Sequence, residues 1–323
     1  QRFNAACIKI RKLLTAESRI REKPEFAGKA TQSTTRVGTQ GAQAADKSAR
    51  IAGTIDFQHV DFAFPDDLGT PVLSDIDFHV PAGAKLGILG ETGSGKSTLV
   101  NLISRFYDPT AGRVLIDGID ARDWPLATLR SQVCIVAQDT FLFSDTIGSN
   151  ISFGAGDEQR LEYNGQYDGQ RRRRGYDEQY VRRMAAIAGA DGFISSMPDG
   201  YDTVVGERGV GLSGGQKQRL SLARALADNP SILIMDDTTS AVDMETEAEI
   251  QRHLRDLDEK KTIVTIAHRI SSVKDSDLIL VLEHGRIVER GTHDELVASH
   301  GRYWQIYSKQ LGVDAGRSQG FEA

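Results

Sequence analysis

Eight consecutive residues restrict the possible fold more than any other feature of this chain. Gly90–Ser97 reads Gly-Glu-Thr-Gly-Ser-Gly-Lys-Ser and lies between an apolar run, Lys85–Leu89, and a helical pattern, Thr98–Phe106. The glycines allow successive backbone N–H groups to converge on one anion at the N-terminus of a helix. The pattern G-x-x-x-x-G-K-[ST] between a strand and a helix therefore predicts a phosphate-binding loop in an α/β fold.

Strand and helix patterns alternate around this loop. Ile55–Phe62 and Leu73–Val80 alternate apolar with polar residues, as half-buried strands do. Three continuous apolar runs are typical of buried parallel strands: Ile232–Met235, Thr262–Ala267 and Leu278–Leu282. We therefore predict an α/β fold with a mixed core sheet and an antiparallel β subdomain before it, and a helical subdomain at about 140–225.

Composition narrows the functional classes. The 323 residues allow two ordinary domains or one large α/β domain with extensions. Lys and Arg number 39 against 45 Asp and Glu, which gives a net charge of −6 and disfavours nucleic acid as a partner. Two cysteines are too few for a disulfide scaffold. No apolar run approaches the ~18 residues that span a bilayer, and a start at Gln1 favours a piece of a longer protein or an engineered chain.

The first residues carry a different pattern. Residues 1–27 contain a basic amphipathic helix, predicted to run to about Lys23 with a charge excess of +5. Such a helix fits the cytosolic end of a transmembrane helix, and a solvated helix packed on its own domain is the alternative. Residues 28–53 are rich in Gly, Ala, Thr, Gln and Ser without a period, and they predict a flexible linker.

A polar insertion interrupts the helical subdomain. Asp157–Tyr176 contains four consecutive arginines, Arg171–Arg174, and predicts a surface loop. The like charges favour exposure, while an anionic partner is the alternative interpretation.

A second acidic motif completes the phosphate chemistry. Asp236 ends the apolar run Ile232–Met235, which places its carboxylate at the carboxyl edge of a parallel sheet, where α/β folds bind ligands. Downstream of a phosphate-binding loop, such an acid can hold Mg²⁺ together with the Ser97 hydroxyl. The two motifs together predict a nucleoside triphosphatase.

A third motif indicates the kind of triphosphatase. Leu212–Gln216 reads Leu-Ser-Gly-Gly-Gln before a helix predicted to begin near Lys217. With this segment, residues 54–312 resemble the nucleotide-binding domain of ATP-binding cassette (ABC) transporters, with the motifs in the order of that family. The resemblance further covers the Q-loop glutamine, the D-loop aspartate, the switch histidine and the aromatic residue that stacks on adenine: Gln138, Asp243, His268 and Phe64.

The resemblance assigns roles to these residues. It implies ATP and Mg²⁺ as cofactors, a core similar to that of RecA, and Asp237, His268 and Gln138 as catalytic residues. The metal would be held by Ser97, Gln138 and Asp236. The nucleotide would contact Phe64, Gly90, Glu91, Thr92, Gly93, Ser94, Gly95, Lys96, Ser97 and Thr98.

It also implies a second domain of the same kind. In the family, the ATP lies between the phosphate loop of one domain and the signature of the other. The signature residues acting on the partner's ATP would be Ser213, Gly214, Gly215 and Gln216. Val205–Gly209 and Thr146–Ile151 look similar to exporter-type members. An exporter domain works at the cytoplasmic face of the cell membrane, with a transmembrane domain that this chain lacks.

One residue departs from the family pattern. Asp237 follows the Mg²⁺-binding acid, where the family usually has glutamate. The shorter side chain withdraws the carboxylate by roughly 1.5 Å, and a misplacement of about 1 Å can cost about a hundredfold in rate. We therefore predict a weakened hydrolytic site, unless a backbone shift or a water restores the geometry. His268 is retained, so the loss need not be complete.

The departure leaves several assemblies open. Asp237 resembles the degenerate subunit of heterodimeric multidrug exporters, whose partner carries the glutamate. A homodimer with two slow sites is the rival. A nucleotide-gated regulatory clamp with little turnover, or a soluble ABC ATPase outside transport, is the alternative function.

Overall fold

The computed structural model describes most of the chain: residues 20–23, 26, 50–155, 176–206, 209, 211–238, 241–257 and 260–311. Four predictions lie wholly or largely outside the described residues. They are the basic helix, the linker, the insertion with Arg171–Arg174 and the tail after residue 312.

Six strands and two helices open the described fold, and four of these strands form an antiparallel sheet. Along the chain they are β1 Ile55–Ala63, β2 Pro71–Val80, β3 Lys85–Gly90, α1 Lys96–Ile103, β4 Ala111–Ile116, β5 Ile119–Asp120, α2 Leu126–Gln132 and β6 Val133–Val136. The order of the first sheet is β2-β1-β4-β5, all antiparallel. The inward residues of β1 are buried, as the alternation predicts: Ile55, Phe57, Val60 and Phe62.

The second half continues the alternation. Its elements are α3 Ile147–Ser152, α4 Glu178–Ile187, α5 Asp191–Ser195, α6 Gly214–Ala227, β7 Ile232–Asp236, α7 Met244–Arg255, β8 Thr262–Ala267, β9 Leu278–Glu283, β10 Arg286–Gly291, α8 His293–Ala298 and α9 Arg302–Leu311.

The central sheet confirms the prediction of a mixed sheet. Its order is β10-β9-β3-β8-β7-β6, in which β9 through β6 run parallel and β10 is antiparallel to β9. Every residue of β8 is buried, as expected of a strand covered on both faces. The carboxyl ends of β3, β7 and β8 meet at one edge because these strands are parallel neighbours. That edge carries the phosphate loop, Asp236 and His268.

A helical subdomain is present where the sequence predicts it. Helices α3, α4, α5 and α6 share a second apolar core with the outward side of β7, including Ile151, Met184, Leu220 and Leu233. The fold is therefore α/β with the predicted antiparallel and helical subdomains. No helix among the described residues is both long and apolar enough to cross a membrane.

The packed chain begins before the predicted boundary at residue 54. Ile51 is 1% exposed, and its N–H donates to the Gln132 Oε1 at 2.5 Å. The N–H groups of Ala52 and Thr54 donate to the carboxylate of Asp117 at 2.6 and 2.8 Å. The linker prediction fails at these residues because tertiary partners, and not a local period, hold them.

Residues 20–23 also differ from the sequence expectation. We predicted a helix reaching about Lys23, whereas these residues form a bend and irregular chain. Glu22 Oε1 accepts the N–H of Leu126 at 2.8 Å, and Lys23 Nζ lies 2.6 Å from Asp123 Oδ1. These bonds to the start of α2 fix the segment on the domain surface in place of a helix.

Candidate functional site

The phosphate loop has a backbone that only glycine adopts easily. Gly93 and Gly95 have φ values of +83° and +101°, in the left-handed region. A Cβ on Gly95 would come within 2.6 Å of the Leu73 side chain. No side chain caps α1, so the N–H groups of its first turn face the loop without a built-in anion. The loop thus has the form of an anion-binding helix N-terminus.

Lys96 turns its ammonium into this loop. Its Nζ donates to the backbone oxygens of Gly90 and Glu91 at 2.8 and 2.7 Å, and the residue is 6% exposed. Burial lowers the pKa of Lys96, and the carboxylates of Asp236, Asp237 and Glu91 oppose that shift. A buried cation enclosed by a glycine loop can attract a polyanion such as a triphosphate.

Two oxygen groups face each other at the sheet edge. The Ser97 hydroxyl, from α1, donates to Asp236 Oδ2, at the end of β7, at 3.0 Å. Burial raises the pKa of Asp236, the Ser97 hydrogen bond lowers it, and the neighbouring Asp237 raises it. A hydroxyl and a carboxylate are hard oxygen donors of the kind Mg²⁺ takes when phosphate and water complete its shell. The residues therefore fit that metal.

The structure places Asp237 beside Gln138. Gln138 Nε2 approaches Asp237 Oδ2 at 3.5 Å, although 99 residues separate them. The Asp237 backbone has φ +49°, and its N–H donates to the oxygen of Ile266 at 3.0 Å. Aspartate tolerates this left-handed conformation better than most residues. The structure thus brings an acid and an amide together next to the Ser97–Asp236 pair.

His268 follows β8 at the same edge. Its charge lowers the pKa of Asp236, which places the imidazole within electrostatic reach of the carboxylate. The His268 backbone oxygen accepts a hydrogen bond from Gln310 Nε2 at 2.7 Å. Sequence reasoning did not find Gln310, because a glutamine at the end of an amphipathic helix carries no motif.

Phe64 occupies the end of the antiparallel sheet nearest the loop. Phe62 pairs with Leu73, and Leu73 packs against Gly95 of the phosphate loop. The Phe64 ring is 38% exposed and stands edge-to-face on Phe62 and Tyr107, with centroids 5.1 and 5.4 Å apart. A half-exposed ring supported in this way can offer one face to a base.

The signature segment caps a helix. Helix α6 begins at Gly214 and not near Lys217, because Ser213 and Gln216 form a capping box. Ser213 Oγ accepts the Gln216 N–H at 3.2 Å, and Gln216 Oε1 accepts the Ser213 N–H at 2.9 Å. These side-chain hydrogen bonds of Ser213 and Gln216 lie within the segment itself.

The segment before α7 packs on the signature helix. A Cβ on Gly215 would come within 2.6 Å of the Ala241 oxygen, and Gln218 Oε1 accepts the Ala241 N–H at 3.2 Å. Asp243 caps α7 through the N–H and hydroxyl of Thr246 at 2.9 and 2.8 Å. These bonds hold the pKa of Asp243 below its usual value. Gly214 lies near the same alanine.

A glycine-rich loop after a central strand, with an acid at the end of a parallel strand two positions away in the same sheet, defines a P-loop nucleotide-binding domain. A family model described as ABC transporter matches residues 73–240. This chain belongs to the ABC transporter family.

Curated relatives of this chain are a flippase and an export protein by name. It is 42% identical over 266 residues to an ATP-dependent lipid A-core flippase of Photobacterium profundum, covering 82% of this chain and 42% of the relative. It is 46% identical over 258 residues to a putative multidrug export ATP-binding/permease protein of Staphylococcus aureus, covering 80% of this chain and 41% of the relative. The chain thus spans well under half the length of these relatives.

A solved structure shows the same fold. A bacterial Atm1-family ABC exporter with ATP bound is similar to this chain with a TM-score of 0.70 and 41% sequence identity. The match covers 80% of this chain and 42% of that exporter.

Proposed function

We propose that this domain binds and hydrolyses Mg·ATP to drive export of a substrate across a membrane. The observation that carries the proposal is the grouping of Lys96, Ser97 and Asp236 at one sheet edge, with the ammonium inside the glycine loop and the hydroxyl on the carboxylate. Such a grouping suits a triphosphate with its metal and has no evident structural purpose.

Different residues would contact the phosphates, the metal and the adenine of the nucleotide. Backbone N–H groups of Glu91–Ser97 surround the phosphates, and Lys96 gives up its bonds to Gly90 and Glu91 to reach the β- and γ-phosphates. The chemistry that Mg²⁺ would supply here is positive charge to offset the negative charge of the phosphates. Ser97, Asp236 and Gln138 would hold the metal. Phe64 offers its ring to the adenine.

Hydrolysis depends on the residues beside the metal pair. Asp237 orients the attacking water and accepts its proton. The amide of Gln138 holds the Asp237 carboxylate in place. His268 stabilises charge on the γ-phosphate. Because the Asp237 carboxylate is set back by about one methylene, we expect this step to be slow.

A second domain completes the site. The Ser213 hydroxyl and the first N–H groups of α6 would bind the γ-phosphate on a partner, which makes the nucleotide an adhesive between two domains. The D-loop with Asp243 lies against the signature helix and would transmit closure between the two sites. Loss of the γ-phosphate removes these bonds and opens the pair.

A transmembrane domain is the proposed receiver of this motion, with the chain at the cytoplasmic face of the cell membrane. Phe141, Phe143 and Phe153 form an exposed aromatic cluster just after Gln138, with neighbouring ring centroids 5.3 and 4.6 Å apart. Three large exposed apolar side chains in contact mark an interaction surface. The relatives' names favour an amphipathic cargo such as a lipid or a drug.

Calorimetry of the whole chain tests nucleotide binding. Lys96→Ala should weaken Mg²⁺-dependent ATP uptake at least tenfold, because the buried cation inside the loop is lost. Lys309→Ala removes an exposed lysine of α9 and should bind like the unchanged chain. Equal binding by the two variants would refute the proposal.

We further propose that Asp237 makes this chain the weak-site subunit of a heterodimer whose partner carries glutamate after its Mg²⁺-binding acid. A regulatory clamp with little turnover is the second candidate, which the same residue favours. Asp237→Glu should raise steady-state ATP turnover about tenfold or more by restoring the reach of the carboxylate.

The control for this change is Asp237→Asn, which keeps the length but not the charge and should lower turnover further. Unchanged or lower turnover in Asp237→Glu, measured in the assembled dimer, would contradict the weak-site assignment. A homodimer would show the gain at both sites.

A further inference from the structure

The last helix of the described residues, α9, contacts two loops of the candidate site. At its start, Arg302 Nη2 lies 2.6 Å from Oε1 of Glu91 in the phosphate loop. Near its end, Gln310 reaches the segment that follows β8. Eight residues separate the two, which is about 12 Å along a helix. One helix therefore bridges the phosphate loop and the His268 loop.

Gln310 uses both ends of its amide on the His268 loop. Its Nε2 donates to the His268 oxygen at 2.7 Å, and its Oε1 accepts the N–H of Ile270 at 3.0 Å. The two bonds hold the backbone on both sides of Arg269. A donor and an acceptor are needed together, so the geometry is specific for an amide side chain.

Helix α9 is a firm base for this contact. Tyr303 is fully buried, and its hydroxyl lies 2.6 Å from His293 Nδ1. The Glu289 carboxylate accepts the N–H groups of Arg302 and Tyr303 at 2.5 and 2.8 Å, which satisfies the first turn of the helix. The helix that carries Gln310 is thus anchored at its start by the core and by Glu289.

We propose that Gln310 is a positioning residue for hydrolysis, which holds the His268 loop in register with Asp236 and Asp237. The inference rests on the proposed ATPase function. The hydrogen bonds of the Gln310 side chain go to His268 and Ile270 and not to Lys96 or Ser97. Its substitution should therefore slow ATP hydrolysis without weakening ATP binding. A shift of about 1 Å at a reacting group can cost about a hundredfold in rate.

Kinetics of the full chain separate these effects. Gln310→Met keeps the length of the side chain but removes both hydrogen bonds, and it should lower kcat for ATP about tenfold with KM changed less than about twofold. Lys309→Met is the matched control: the same substitution, one residue earlier, on an exposed side chain. It should leave both constants unchanged. A kcat within twofold of the unchanged chain, or an equal loss in the control, overturns the proposal.

A second measurement reads the contact without turnover. Amide hydrogen exchange at Ile270 should accelerate in Gln310→Met, whereas Gln310→Glu keeps the acceptor and should keep the protection. Because Gln310→Glu cannot donate to His268 when ionised, its kcat should still fall. Unaltered exchange in Gln310→Met overturns the proposal. If Lys96→Ala hydrolyses ATP as fast as the unchanged chain, that result would instead refute the proposed function.

Discussion

The ionised carboxylate of Asp236 lowers the stability of the folded protein. Burial raises its pKa, and the adjacent Asp237 raises it further, whereas the hydrogen bond from the Ser97 hydroxyl lowers it. The folded protein therefore binds this proton more tightly than the unfolded chain does, and ionisation destabilises the fold above the unfolded pKa of about 3.9. A metal held by Ser97 and Asp236 would supply the charge that offsets this penalty.

Asp236→Asn should accordingly stabilise the protein without nucleotide or metal. We expect Tm near pH 7.5 to rise by about 1–3 °C, since a buried charge is removed while the oxygen facing Ser97 remains. The gain should shrink as the pH falls towards 4, because the unchanged carboxyl then takes up its proton. Scanning calorimetry across that range checks both parts.

Asp243→Asn should change Tm in the opposite direction and serves as the control. Its pKa is lowered by bonds from Thr246, so ionised Asp243 stabilises the fold above its unfolded pKa and loses that effect in acid. Its replacement should lower Tm at pH 7.5 and matter less near pH 4. A lower Tm for Asp236→Asn at pH 7.5 would show that the ionised Asp236 carboxylate does not destabilise the fold.

Helix α3 is tied to α6 by one polar side chain. Asn150 is 1% exposed, and its Nδ2 donates to the oxygens of Phe143 and Thr146, both at 3.0 Å. Its Oδ1 accepts from the Phe143 N–H at 2.8 Å and from Arg224 Nη2 at 2.7 Å. Arg224 also lies over the Phe143 ring, 5.1 Å from its centroid. This network supports the backbone beneath the exposed aromatic cluster.

Asn150→Ala should lower the free energy of unfolding by roughly 2–4 kcal/mol. The substitution removes one of the three hydrogen bonds of the Arg224 guanidinium and takes the side-chain partner from the N–H and oxygen of Phe143. Urea denaturation measures the loss. Combined with Arg224→Met, the effects should fall short of additive, because both changes break the same network. Full additivity would show that the two residues act independently.

Secondary structure was predictable where the reason is local. The runs of β7, β8 and β9 are apolar because both faces of a parallel sheet are covered, and these elements appear where the sequence places them. Residues 20–23 were wrongly predicted as helix because Glu22 bonds to Leu126, more than a hundred residues away. A hydrophobic period cannot reveal a partner at that distance.

On the scale of the whole molecule, the phosphate loop and the signature belong to different layers. The loop follows β3 in the central sheet, whereas Ser213 caps α6 in the helical subdomain. We therefore expect that a nucleotide bound to one chain is enclosed on both sides only when a second chain supplies its signature. We expect association to depend on the γ-phosphate.

Light scattering tests this association. Mixed with an ABC domain that carries glutamate after its Mg²⁺-binding acid, the full chain should form dimers with Mg·ATP and remain monomeric with Mg·ADP. Ser213→Ala and Ser213→Gly should both abolish these dimers by removing the hydroxyl. Alanine at an N-cap costs about 1 kcal/mol of stability and glycine only a few tenths, so the pair separates folding from binding. Dimers that persist with ADP, or in both variants, would contradict the two-chain site.

The sequence by itself determined the phosphate loop, the apolar strands and the acid at the end of β7, because each follows from neighbouring residues and a short-range backbone preference. Tertiary structure alone decided which side chains meet: Gln138 with Asp237, Gln310 with the loop of His268, and Ile51 with Gln132. These contacts join residues 42 to 99 positions apart. Only packing of the two sheets and the last helix brings such groups within hydrogen-bond distance.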